Sequence, residues 1–192
     1  MTAAATLLRA GRAARRLSQR QLAVAASTDR PAIIAIEKGT RDPSVGVLDR
    51  LLAGTGHRLI SVPTLAAPVA VFADEIARRL GTDDSDGAFR AFLQLHDTLR
   101  SQDAGVRVAL CLTEPASTGT APFDALIAGL VEHLLTADGL PVPAWVDAPS
   151  RFLGSDWFVD DSAYGRAHDR DTAPAAFARR RVYLAPTELA SA

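Results

Sequence analysis

Residues 17–37 read LSQRQLAVAASTDRPAIIAIE, and the fold turns on this stretch. Ser18 followed three residues later by Gln21 is the S-x-x-Q spacing of a capping box, in which each side chain satisfies an orphan backbone N–H of a helix's first turn. Leu22 and Ala23 then face inward, and Ala26 closes the helix. Ser27 and Thr28 break the pattern. Asp29 caps a second helix, and Pro31 falls in its first turn, where a missing N–H costs little. Ile33 and Ile36, i and i+3, share a buried face. The spacing predicts two short helices, about 18–25 and 30–38, joined by a tight turn.

The flanks extend the pattern. Residues 6–16 read as a preceding helix sealed by Leu8 and Leu17, with Arg12, Arg15 and Arg16 projecting from it. Gly39 supplies a helix stop, and Ser44 caps a fourth helix with Val47, Leu48, Leu51 and Leu52 on its inner face. Leu8, Arg12, Leu17-Ser18-Gln19, Leu22-Ala23, Ile33, Ile36-Glu37, Gly39, Pro43-Ser44, Leu48 and Leu51 together resemble the helix-turn-helix of phage-repressor, or XRE-type, regulators, over about residues 8–59. The resemblance implies a mainly α fold that opens with a lambda-repressor-like DNA-binding domain of five-helix type.

It also implies roles. Arg12 and Glu37 form a partly buried salt bridge tying the first helix to the reading helix. Gln19 and Arg20 lie beside the DNA backbone, and Lys38, Thr40 and Arg41 lie where phosphates are contacted. Arg30, Pro31, Ile34 and Ala35 fall at the base-reading positions. Chemistry limits what these four can read: only Arg30 makes a bidentate contact to guanine. Ile34 either touches a thymine methyl or packs against the C-terminal part or a dimer mate. Pro31 and Ala35 offer shape alone, so modest direct readout supplemented by DNA shape is expected.

Charge divides the chain the same way. Residues 1–61 carry ten cationic and four anionic side chains, a net +6, and the remainder carries 11 cationic and 18 anionic, a net −7. A basic module on an acidic body suits a DNA-binding domain fused to a partner-binding or dimerisation domain. Of the 21 cationic residues only Lys38 is a lysine, and with abundant alanine this looks like coding bias in a GC-rich genome. Arginine count alone therefore carries little weight.

His57 to Val62 reads as a short strand stopped by Pro63. A lone strand in a helical domain leaves its ladder groups unpaired. Pairing of Arg58, Leu59, Ile60, Ser61 and Val62 with the same strand of a second protomer would satisfy them, giving the two-fold dimer that a palindromic double-stranded DNA operator requires. The alternative is a linker packed on its own domain. The chain then divides into residues 1–62, a DNA-binding domain, and 63–192, a mostly helical partner-binding or regulatory domain.

In the second part, residues 69–80 and 123–136 show apolar residues at helical spacing, and Asp86 is placed to cap a helix over 88–101. Residues 105–112 read as helix in preference to strand, and Cys111 within them as a buried structural thiol. The tail is irregular and rich in proline and tryptophan. Leu140-Pro-Val-Pro-Ala-Trp145 and Pro174-Ala-Ala-Phe177 with Arg179-Arg180 resemble the C-terminal part of regulators that accompany AbiEii-class nucleotidyltransferase toxins. That resemblance implies an autoregulating antitoxin whose partner is such a toxin. Trp145, Trp157 and Phe158 are either core anchors or an aromatic hot spot for that partner. Arg179-Arg180-Arg181 reads best as a surface face.

No catalytic or cofactor pattern emerges. His57, His96, His133 and His168 are widely separated, without metal-ligand spacing, and there is no phosphate loop, dinucleotide fingerprint or nucleophile elbow. One cysteine excludes an internal disulfide framework, and no apolar run is long enough to span a membrane, so a cytoplasmic protein without metal or cofactor is expected. Three classes stay open: an autoregulating antitoxin, a one-component repressor sensing a small ligand in an apolar pocket, and a helix-turn-helix kept as a protein-interaction scaffold.

Overall fold

The computed structural model describes residues 2–190; the outer limits of the two expected domain ranges, Met1 and Ala192, lie outside them. The chain is mainly helical. The first four helices are α1 (Ala3–Ala14), α2 (Gln19–Ala25), α3 (Arg30–Glu37) and α4 (Val45–Ala53). Leu8, Leu22, Ala23, Ala26, Ile33, Ile36 and Leu51 form their buried core, with Ala4, Leu48 and Leu52 in a satellite cluster.

A second, larger core lies in the remainder. It is built by α5 (Val69–Leu80), α6 (Ser85–Arg100), α7 (Ala104–Cys111) and α8 (Ala121–Ala137), the last being apolar nearly all round and buried on all sides. Gly129 of α8 is where Phe177 seats: a Cβ there would stand 2.6 Å from Phe177 Cδ1. Two 3-10 turns follow (Ala144–Asp147 and Pro149–Arg151), then β1 (Trp157–Phe158), α9 (Ala163–Thr172), α10 (Ala175–Ala178), β2 (Val182–Tyr183) and α11 (Pro186–Ala190). The two strands pair in parallel, Trp157 opposite Val182 and Phe158 opposite Tyr183. No described helix is long and apolar enough to cross a membrane.

The two cores meet through α1 and α5. Thr6 Oγ1 donates to the Asp74 carboxylate, and Arg9 Nη2 pairs with Asp74 Oδ2 at 2.6 Å. Nothing in the sequence pattern distinguishes this Asp74 from the other surface acids.

Several expectations need correction. Arg58, Leu59, Ile60, Ser61 and Val62 form no strand within the chain. The reason lies on α4: Asp49 Oδ1 accepts the Leu59 N–H at 3.1 Å, and Asp49 Oδ2 pairs with Arg58 Nη1 at 3.0 Å. One carboxylate thus holds Arg58 and Leu59, the start of the segment, on their own domain. The helix expected at residue 88 starts at Ser85, because Asp84, not Asp86, caps it by accepting the Gly87 N–H at 2.9 Å. Ser44 stands at the N-cap of α4 but its side chain makes no capping bond. Arg180 does not belong to a surface face: it is fully buried, its Nη1 on Glu132 and the Ala176 carbonyl, its Nη2 on the Val146 carbonyl at 2.9 Å, and its guanidinium over the Phe152 ring. An arginine whose two terminal nitrogens reach two backbone carbonyls and a carboxylate can be buried where a free one cannot, even though its Nε finds no partner.

Candidate nucleic-acid interface

Local sequence fixes the geometry of α2 and α3. Ser18 Oγ accepts the Gln21 N–H at 3.2 Å while Gln21 Oε1 accepts the Ser18 N–H at 2.8 Å, so both halves of the capping box are made. Between the helices Ser27 takes a positive φ of 49°, and the Thr28 N–H returns to the Ala23 carbonyl at 2.9 Å. Asp29 Oδ1 then accepts the Ala32 N–H at 2.6 Å and starts α3. At its far end Gly39, with φ of 72°, takes the left-handed conformation that ends the helix.

A buried ion pair locks α3 to α1. Arg12 Nε donates to Glu37 Oε1 at 2.6 Å and Arg12 Nη2 to Oε2 at 3.1 Å, a bidentate pair in which Glu37 is 5% exposed. Arg12 Nη1 also reaches the Leu17 carbonyl at 2.9 Å. Gln19 joins them, donating Nε2 to Glu37 Oε2 at 2.9 Å. That bond ties the half-buried Gln19 side chain to the ion pair beneath the reading helix.

With Ile33 and Ile36 inside, α3 presents Arg30, Pro31 and Lys38 exposed and Ile34 and Ala35 half-buried. Arg20 and Arg41 are exposed as well. Thr40 Oγ1 donates back to the Ala35 carbonyl at 3.0 Å, so it reaches a phosphate only by giving up that bond. Of the ten cationic side chains in residues 1–61, Arg9, Arg12 and Arg58 are paired, with Asp74, Glu37 and Asp49. The other seven form no ion pair among the described residues. They are Arg20, Arg30, Lys38 and Arg41, together with Arg15, Arg16 and Arg50, which the spacing of the recognised motif did not single out. Seven unpaired cations on a domain of this size give a surface able to release counterions from a polyanion.

Residues 8–59 match the family described as Helix-turn-helix. This segment is an XRE-type helix-turn-helix. It is the DNA-binding part of a transcription regulator, and it covers about a quarter of the chain. No curated protein and no solved structure matches the chain.

Outside the helix-turn-helix, the aromatic residues proposed for a partner are placed differently from one another. Trp145 is 8% exposed, donates Nε1 to the Cys111 carbonyl at 2.9 Å and carries the Arg151 guanidinium over its ring; it is a core anchor and offers no face to a partner. Phe158 stacks on Tyr183 with centroids 4.8 Å apart, and Arg170 covers both rings. Trp157 is half-buried against Phe123 and lines a surface groove with Phe89 and Phe123, near Asp86. Cys111 is buried, and burial pushes its thiol up to about 12, so it is unreactive at neutral pH.

Proposed function

We propose that this protein is a sequence-specific repressor that binds its own promoter as a dimer and serves as the antitoxin of a toxin–antitoxin pair. The observation that carries the DNA-binding part is the face of α3: Arg30 and Lys38 stand exposed and unpaired on a helix held by the buried Arg12–Glu37 pair. Arg30 reads guanine in the major groove, Ile34 lies against a thymine methyl, and Arg20, Lys38 and Arg41 neutralise phosphates. Two-fold symmetry is supported by the linker, whose Ile60 and Leu65 remain largely exposed and available to a second protomer.

The antitoxin part rests on the C-terminal motifs and on the acidic body, with the Trp157 groove as the place where a toxin docks. Two experiments test the proposal. Footprinting on the promoter upstream of its own gene should show protection over an inverted repeat; protection absent at concentrations that coat random DNA removes autoregulation. Co-expression with the adjacent reading frame should relieve growth arrest caused by that frame alone; a harmless neighbour removes the antitoxin role.

A further inference from the structure

We infer that the junction of α6, α7 and α8 is a binding site for a small oxyanion, carboxylate or phosphate, taken up together with a proton. The site stands independently of the DNA-binding reading. His96 and Arg100 of α6, Arg107 of α7 and His133 of α8 line a cavity of about 380 Å³, with Asp138 at its edge. That volume falls in the range of small-molecule sites.

Its charges make the argument. The body as a whole is acidic, yet the carboxylate in the cavity's lining and those next in sequence to its histidines are already committed. Asp138 is held by Arg107 Nη1 and Asp97 by His96 Nδ1, while Glu132 beside His133 is held by Arg179 and Arg180. Arg107 spends its Nε on the Leu99 carbonyl at 2.8 Å and its Nη2 on the Arg100 and Gln102 carbonyls, which leaves one N–H on Nη1. Arg100 makes no ion pair among the described residues. One whole guanidinium, a spare N–H of a rigidly held second one and two imidazoles therefore converge on the cavity, whose lining carboxylate, Asp138, is taken up by Arg107.

The histidines set the coupling to protons. His96 is 2% exposed, and its Nδ1 lies 3.0 Å from Asp97 Oδ1. The carboxylate accepts, so Nδ1 carries a proton, and Nε2 has no hydrogen-bond partner among the described residues. His133 is half-buried against Phe177; burial and the neighbouring His96 hold it below the ordinary histidine range. The neutral form of His133 is thereby favoured in the empty cavity. An oxyanion at their open nitrogens needs an N–H there, and protonation of one ring supplies it.

The test is an NMR titration of the full chain. Sodium sulfate and, separately, sodium acetate are added at constant ionic strength maintained with sodium chloride, and the ring signals of His96 and His133 are followed between about pH 6 and pH 8. Saturable shifts and a rise in the titration midpoint of at least one ring are expected. Arg100→Gln should weaken binding about tenfold. Arg90→Gln, at an exposed position on the same helix, should leave it unchanged. A response to sulfate alone assigns a phosphate-type ligand, and one to acetate alone assigns a carboxylate. No saturable shift with either anion, or an Arg100→Gln protein that responds like the wild type, overturns the inference.

Discussion

Gln19 Nε2 donates to Glu37 Oε2 at 2.9 Å, the same carboxylate that Arg12 holds in both prongs of its guanidinium. The three side chains form one network between α1, α2 and α3, and the orientation of the reading helix depends on it. Removing Glu37 leaves Arg12 largely buried with only the Leu17 carbonyl. Glu37→Ala should therefore lose about 3–5 kcal/mol in urea unfolding. Gln19→Ala should lose only about 1 kcal/mol, since a single hydrogen bond goes. If Glu37→Ala unfolds at the wild-type midpoint, the network does not hold α3.

The Arg179-Arg180-Arg181 run separates one buried cation from two exposed ones. Arg180→Ala should cost about 3–5 kcal/mol in thermal or urea unfolding, because two buried carbonyls lose their donor and Glu132 keeps only Arg179. Arg181→Ala, exposed and paired only with Asp156 at 3.6 Å, should stay within about 0.5 kcal/mol of wild type. Equal losses from the two would show that Arg180 is not inside.

Much of this protein was legible in its sequence, for physical reasons. The capping box, Asp29 cap and Gly39 stop are local chemistry, and the structure makes each of them. The long amphipathic runs gave α5 and α8 to within two residues. Two caps failed locally, Asp84 taking the place read for Asp86 and Ser44 making no cap bond, and the other misreadings turned on partners further along the chain. Asp49 reaching forward ties down Arg58 and Leu59 at the start of a segment that reads as a free strand, and Ala176, Val146 and Glu132 converging on Arg180 buried an arginine that its neighbours in sequence made look exposed. The cavity of His96, Arg100, Arg107 and His133 collects residues from three helices, and none of their spacings announces it.

Asp169 offers a pH-dependent test. It is 2% exposed, its Oδ2 has no hydrogen-bond partner, and burial followed by the Asp160 charge pushes its carboxyl above the usual range. A raised carboxyl binds its proton more tightly in the folded chain than in the unfolded one. The contribution of Asp169 to stability is therefore highest below the unfolded value of 3.8 and is lost as pH rises from there through the raised folded value. Asp169→Asn should flatten that fall and be more stable than wild type at neutral pH. Wild-type and mutant unfolding midpoints that run parallel from acid to neutral pH would contradict it.

Gly129 lies under Phe177. Gly129→Ala places a methyl 2.6 Å from the ring and should cost about 1–3 kcal/mol despite the better helix propensity of alanine. Gly105→Ala on α7 meets nothing within 4 Å and should stabilise by up to about 1 kcal/mol. Opposite signs for these two helix glycines, measured by denaturation, are the expected result.

Direct reading of DNA by α3 is most sharply tested by binding of the wild type and Arg30→Ala to the upstream promoter, titrated against salt and compared with random DNA. Wild-type affinity should fall steeply with salt and exceed that for random DNA. Arg30→Ala should lose about 1–3 kcal/mol on the promoter and much less on random sequence. Promoter binding that does not exceed random DNA, or that Arg30→Ala leaves untouched, would contradict sequence reading through Arg30.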